Sequence, residues 1–341
     1  MNLYNMYYKN YILRLVRIIA VLTVFAMTLA GCAIKKDEHL IDARIVNADV
    51  KEVADNTMVA NNPNPILSVP TQINYYDGLY FIVDCYNNKV VYSDDLQAPL
   101  YLWKVMTSDM KMGHTIASDG SVYLVDDTEN NRVLIFEKYD NKFVETQILD
   151  GIGIRPHYIQ YNEKNKTFYA WSSLTGQMYL IKRQEETGLV YVSDIKEIPE
   201  LNGVYVRSFT IVDDDIYFVS GNSNVIQARL RDFKIKERYL VGPELAGMIQ
   251  VMPVSDGYLI TISTDANGDQ SYATIIKTTR LENLINGEYE DIYNNFIGGG
   301  TPYYMSQING RYFLTEHRIP GHSIWSFEYK DGKVCDVEAV F

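Results

Sequence analysis

Residues 119–149 constrain the fold of this chain more than any other stretch. Three short apolar runs, 122–125, 133–136 and 143–149, are separated by turn-forming clusters at Asp119-Gly120, residues 127–131 and residues 139–141. Gly, Asp and Asn favour chain reversal, and runs of Val, Ile, Leu, Tyr and Phe between reversals pair as antiparallel strands. One such sheet buries too little apolar surface to stand alone, so the unit must stack on further copies.

The unit recurs. Asp77-Gly78-Leu79-Tyr80-Phe81-Ile82-Val83-Asp84 parallels Asp119-Gly120-Ser121-Val122-Tyr123-Leu124-Val125-Asp126, 42 residues on. Asn87-Asn88-Lys89-Val90 parallels Asn130-Asn131-Arg132-Val133, 43 residues on. Looser copies put the turn before the second strand at Asn165, Asp214, Asp256 and Asn309, so the intervals along the chain are 42, 46, 49, 42 and 53 residues. A period of ~40–50 residues with several short strands predicts an all-β chain, a six-bladed β-propeller of four-stranded antiparallel blades over residues 66–341. The first blade is expected near Pro70, and ring closure is expected to remove exposed sheet edges. The fifth unit departs from the pattern. Residues 280–287 predict a short surface helix ending at Gly287. Asp265-Ala266-Asn267-Gly268-Asp269 lacks the closing Glu of a calcium loop and is expected to be a hairpin turn.

The two paired motifs resemble the NHL repeat of bacterial and animal propellers. The resemblance is close over residues 70–149 and architectural over 150–341. It implies a structural framework rather than an activity, because fold and function are separable. Relatives with NHL-like propellers include protein- and RNA-binding modules, sensor domains and an amidating lyase whose channel holds a metal through three histidines.

Residues 1–31 read as an export signal. Lys9, Arg14 and Arg17 precede an apolar core at residues 18–30, shorter than the ~20 residues of a bilayer span. The core ends in Leu29-Ala30-Gly31-Cys32, which resembles the lipobox of bacterial lipoproteins. That resemblance implies a thiol-lipidated Cys32 as the mature N-terminus, anchored to the outer face of a bacterial membrane. Residues 32–65 then read as lipidated cysteine and tether, with residues 41–53 able to add a strand or a helical turn against the propeller. Cys85 and Cys335 remain. Pairing across the first and last blades is geometrically conceivable, and two buried free thiols are the favoured expectation.

The first 31 residues hold no acidic residue, so the remainder carries a charge of −15. Such acidity excludes the basic footprint of a nucleic-acid partner. No Gly-x-Ser-x-Gly, His-Glu-x-x-His or paired Cys-x-x-Cys motif is present. The innermost strands of a propeller begin around its axis, so the channel candidates are Gln72, His114, Arg155, His157, Arg207, Gln250, Tyr303 and Tyr304. His114 and His157 fall at similar places in adjacent units, with His317 and His322 placed in or near an outer-strand turn. Without a third channel histidine, no metal and no cofactor are expected. The favoured function is a binding module for a peptide, glycan or protein ligand. The alternative is a channel-sited lyase or hydrolase, metal-dependent or not. Arg155 and Arg207 are expected either to meet an anionic ligand or to pair with Asp or Glu of neighbouring blades.

Overall fold

A computed structural model describes residues 38–296, 300–317 and 323–341. The export signal, Cys32, Gly298, Gly299 and His322 lie outside the described residues. Among those described, no helix is long and apolar enough to cross a membrane.

Six antiparallel sheets follow one another along the chain. Blade 1 comprises β3 (Pro70–Tyr76), β4 (Leu79–Asp84), β5 (Lys89–Ser93) and β6 (Lys104–Thr107). Blade 2 comprises β7 (Ile116–Ser118), β8 (Val122–Asp127), β9 (Arg132–Tyr139) and β10 (Lys142–Leu149). Blade 3 holds β11 (Pro156–Asn162), β12 (Thr167–Ser172), β13 (Gln177–Arg183) and β14 (Val190–Glu197). Blade 4 holds β15 (Phe209–Val212), β16 (Asp215–Ser220), β17 (Asn224–Arg229) and β18 (Ile235–Leu240). Blade 5 holds β19 (Met248–Val254), β20 (Gly257–Ile262), β21 (Thr274–Thr278) and β22 (Glu290–Asp291). Blade 6 holds β23 (Thr301–Ile308), β24 (Arg311–His317), β25 (Ile324–Lys330) and β26 (Lys333–Ala339). The chain is therefore the six-bladed β-propeller expected from the repeats, with the four main strands of each blade cut from one continuous stretch.

The apolar runs are buried on both faces, and their alternation divides them between two interfaces. In β8, Val122 and Leu124 pack toward blade 3, whereas Tyr123 and Val125 pack toward blade 1. In β24, Phe313 joins Ile73, Ile82 and Trp103 of blade 1, while Tyr312 and Leu314 face Leu259 and Ile275 of blade 5. Successive strand side chains point to opposite faces, so one strand serves two neighbours. What closure buries is thus sheet faces. The edges persist, because every blade keeps an inner and an outer strand of its own. Side-chain hydrogen bonds between blades add to the packing. Thr71 Oγ1 donates to His114 O at 2.7 Å, Ser208 Oγ to Ile249 O at 2.5 Å, and Ser306 Oγ to Ile73 O at 2.5 Å. The last of these joins blade 6 to blade 1.

The turn residues act as the motif implies. Asp77 and Gly78 both have positive φ, as do Asn309 and Gly310, which suits tight two-residue hairpins. In blades 1 and 2 a short 3₁₀ turn follows the second strand and ends at Asn88 or Asn131, each left-handed. Asn tolerates that conformation better than other side chains with a Cβ.

Three elements refine the expectation. The stretch read as tether is docked from His39 onward. β1 (Ile41–Asp42) extends blade 3 and β2 (Arg44–Ile45) extends blade 2, each as a fifth outer strand. Helix α1 (Val50–Asn56) is capped by Asp49, whose carboxylate accepts from Glu52 N at 2.9 Å. Asn62 then accepts a hydrogen bond from the buried Lys89 ammonium at 2.7 Å. Long-range backbone pairing of this kind leaves no periodic trace in a short polar segment. Second, Asp265–Asp269 lies within a longer connection between β20 and β21, where the Asp265 carboxylate accepts from Asn267 N and Asp269 N, each at 2.8 Å. The helix at residues 281–286 is present as a 3₁₀ turn, with Leu281 and Leu284 buried and Gly287 left-handed. Third, Cys85 and Cys335 are both free, and only Cys85 is buried; Cys335 is half-buried.

Candidate functional site

The end of the channel where inner strands begin is shaped by β-bulges. Register slips occur between Pro70 and Gln72, Pro156 and Tyr158, Met248 and Gln250, and Pro302 and Met305. A bulge re-aims the side chain of the extra residue. In blade 3 that residue is His157, and in blade 6 the slip spans Tyr303 and Tyr304. Register also separates the two histidines. Ile116 pairs with Val125 and Tyr158 with Trp171, each partner lying six residues beyond its blade's turn. His157 therefore occupies the place of Thr115, and His114 stands one residue earlier.

The rings still meet. His114 and His157 stack with centroids 3.7 Å apart. His157 is fully buried, and its Nδ1 lies 3.1 Å from Arg207 O and 3.0 Å from Tyr304 Oη. A carbonyl oxygen only accepts, so the network assigns the proton to Nδ1. Nε2 then accepts from the Tyr205 hydroxyl at 2.9 Å. Burial, His114, Arg207 and Arg155 all hold the His157 pKa well below its usual value, so the ring is neutral at pH 7. Burial likewise pushes the Tyr303 and Tyr304 phenols up.

His114 is positioned from behind. Gly113 precedes it and allows close approach, since a Cβ there would sit 2.5 Å from Asp126 O. The Asp126 carboxylate, fully buried, accepts from His114 N at 2.9 Å, Thr115 N at 2.6 Å, Thr115 Oγ1 at 2.6 Å and Thr128 Oγ1 at 2.8 Å. The repeated asparagines hold the approaching loops. Asn88 Oδ1 accepts from Met112 N at 2.9 Å, and Asn131 Oδ1 from Arg155 N at 2.8 Å. Met112 and Arg155 are both left-handed, at φ 57° and 59°, two residues before His114 and His157. Such backbone strain persists only where surrounding contacts impose it.

Cys85 Sγ lies 3.7 Å from His114 Nε2, and Asp126 Oδ2 lies 3.8 Å from His114 Nδ1. That order of groups resembles a thiol, base and orienting carboxylate. The chemistry runs the other way. Cys85 is 1% exposed, and burial, with Asp126 and Asp84 nearby, raises its pKa far from thiolate formation. A reactive cysteine needs the opposite environment, electropositive and accessible. Among the described residues no group of three or more His, Cys, Asp and Glu could hold a metal ion.

The two arginines differ. Arg155 pairs with Glu129 of blade 2 at 2.8 Å, the inter-blade role expected of a structural arginine. Arg207 is half-buried, its guanidinium 5.0 Å from the Tyr205 ring centroid and 3.4 Å from Ser263 Oγ, with no carboxylate partner among the described residues. His114, Arg155, His157, Arg207, Tyr303 and Tyr304 are thus gathered at one end. Gln72 and Gln250 lie deeper and serve the ring. Gln72 Oε1 accepts from Ile116 N at 2.7 Å, and Gln250 Oε1 from Met305 N at 2.6 Å. Sequence reasoning missed Tyr205, although it precedes Arg207 by the same two residues that separate Arg155 from His157. His317, placed by sequence in or near an outer-strand turn, ends β24 with its ring 5.5 Å from Tyr303.

No protein-family model matches this sequence, and no curated protein matches it. Solved structures do resemble it in fold. A putative 6-phosphogluconolactonase from Bacteroides fragilis is 12% identical with a TM-score of 0.55, over 78% of this chain and 82% of that one. A catalytically inactive virginiamycin B lyase from Staphylococcus aureus with quinupristin is 13% identical with a TM-score of 0.53, over 82% and 86%. The WD40 propeller domain of Doa1 is 10% identical with a TM-score of 0.52, over 83% and 85%. At such identities the likeness extends to the propeller fold alone.

Proposed function

We propose that this propeller is an exterior binding module, NHL-like in its repeats, that holds an anionic group of its ligand at Arg207. The observation that carries this reading is the half-buried guanidinium without a carboxylate partner among the described residues, in a chain of net charge −12. An unpaired arginine fork suits a carboxylate, and its positive field stands out against an acidic surface. The neutral His157 and the Tyr304 hydroxyl both donate to Arg207 O, so they hold the backbone that carries the guanidinium without adding charge. The ligand class is an acidic glycan or peptide.

The test is Arg207→Ala, with trigalacturonate as the anionic probe. The backbone carbonyl of Arg207 accepts from Tyr304 Oη at 2.7 Å, and that bond survives the substitution. Binding should weaken by roughly 30-fold or more, while the melting temperature moves by no more than about 2 °C. A large loss of stability with trigalacturonate binding intact would assign Arg207 to the ring instead.

We place the module outside a bacterial membrane, cell-surface or periplasm-facing, through a lipid on Cys32. The support is the Leu29-Ala30-Gly31-Cys32 end of the apolar signal. Cys32→Ser should shift the protein out of the lipid-labelled membrane fraction. Undiminished lipid labelling of that variant would sink the assignment.

A further inference from the structure

The channel opens differently at its other end, where the inner strands finish. A cavity of about 490 Å³ lies on the axis there, lined by all six blades. Gln72, Ser118, Gln160, Thr210, Gln250 and Ser306 contribute one blade each. Its volume falls within the range of small-molecule sites. No lining residue is charged, in a chain where 22% of residues are. The lining is amides and hydroxyls, with Tyr76, Tyr161 and Met252 supplying apolar surface.

Several of those groups are only half used by the protein. Gln72 is 5% exposed and spends its carbonyl oxygen on Ile116 N, while its amide nitrogen has no hydrogen-bond partner among the described residues. Tyr158, 8% exposed, accepts from Gln250 Nε2 at 3.3 Å, and its own hydroxyl proton has no acceptor among the described residues. The Gln160 side chain lines the cavity without a hydrogen bond to any of the described residues. Buried polar groups are ordinarily satisfied, so unspent donors facing a cavity mark a place where a polar guest or water completes them.

We infer that this cavity is a second ligand site, distinct from the Arg207 end, and that it takes an uncharged saccharide. A sugar hydroxyl both donates and accepts, which matches side-chain amides that offer one of each. Its C–H face suits the tyrosine and methionine walls. An anionic guest gains no counter-charge here and loses its hydration, so it is disfavoured.

The test uses the purified protein, isothermal titration calorimetry, and a neutral panel of maltotriose, cellotriose and chitotriose, with trigalacturonate and an acidic peptide as contrasts. At least one neutral trisaccharide should bind saturably at concentrations up to about 10 mM. Gln160→Ala breaks no internal hydrogen bond, so it should leave the melting temperature alone and weaken that binding about tenfold. Arg207→Ala should leave it unchanged, which separates this site from the anionic one. No saturable binding by any neutral trisaccharide, binding insensitive to Gln160→Ala, or displacement of the sugar by the peptide overturns the inference. Trigalacturonate binding lost with Arg207→Ala, and no neutral sugar bound, would uphold the Arg207 reading and reject this one.

Discussion

Removing residues 301–341 should leave no soluble, cooperatively folded protein. The deletion takes away blade 6 and with it both faces that its neighbours cover. Ile308, Phe313 and Ile324 seal blade 1, and Leu314, Trp325 and Phe327 seal blade 5; all are 6% exposed or less. At roughly 1.5–3 kcal/mol for each buried large side chain, these six alone contribute about 10 kcal/mol or more. That equals or exceeds the ~5–15 kcal/mol by which a typical domain is stable. The strain on the remainder is compounded by lost hydrogen bonds, because Thr315 Oγ1 donates to Thr71 O at 2.8 Å across the closure. The truncated protein should aggregate or show no sigmoidal melt by circular dichroism. A monomeric truncation with a single sharp transition would show that the blades fold without the ring.

The second large effect is expected of Asp126→Ala. The substitution strips acceptors from two buried backbone donors, His114 N and Thr115 N, and from two hydroxyls. Leaving buried donors unsatisfied costs about 1–3 kcal/mol each, so the total is on the order of 3–5 kcal/mol. At ~2–4 °C per kcal/mol for a large domain, the melting temperature should fall by roughly 6–20 °C. Asp126→Asn keeps one carbonyl acceptor and should fall in between. Differential scanning calorimetry on the three proteins decides it. A drop below about 2 °C for the alanine variant would mean that water replaces the carboxylate. The same variant should loosen His114, which otherwise stacks on His157.

Much of the framework was legible because it is local and repeated. Asp77-Gly78 and Asn309-Gly310 announce hairpins through their own backbone preferences, and the apolar runs announce strands buried on two faces. The asparagines of the Asn-Asn motif were legible as turn residues. Their second function was not, since Asn88 and Asn131 each reach a loop 24 residues ahead. The docked arm was only half legible. Residues 41–53 have apolar content enough for a strand or a turn, but which blades they join depends on pairing with Tyr191 and Val192 in one case and Gln147 and Ile148 in the other.

The candidate site divides along the same line. Residue type and position before each turn were enough to gather Arg155, His157, Arg207, Tyr303 and Tyr304 at the channel, because every inner strand starts there. Which arginine is neutralised was decided by contact between blades, since Glu129 of blade 2 reaches Arg155 while Arg207 meets no carboxylate among the described residues. That His114 stacks on His157, although the two are one residue out of register, was decided by the bulge between Pro156 and Tyr158. The neutral cavity at the far end was decided by six strands converging on one axis. Propensity and periodicity act over a few residues and are written in the chain itself. Bulges, blade rotation and pairings between distant blades arise only when the ring closes, and chemistry at its axis depends on those.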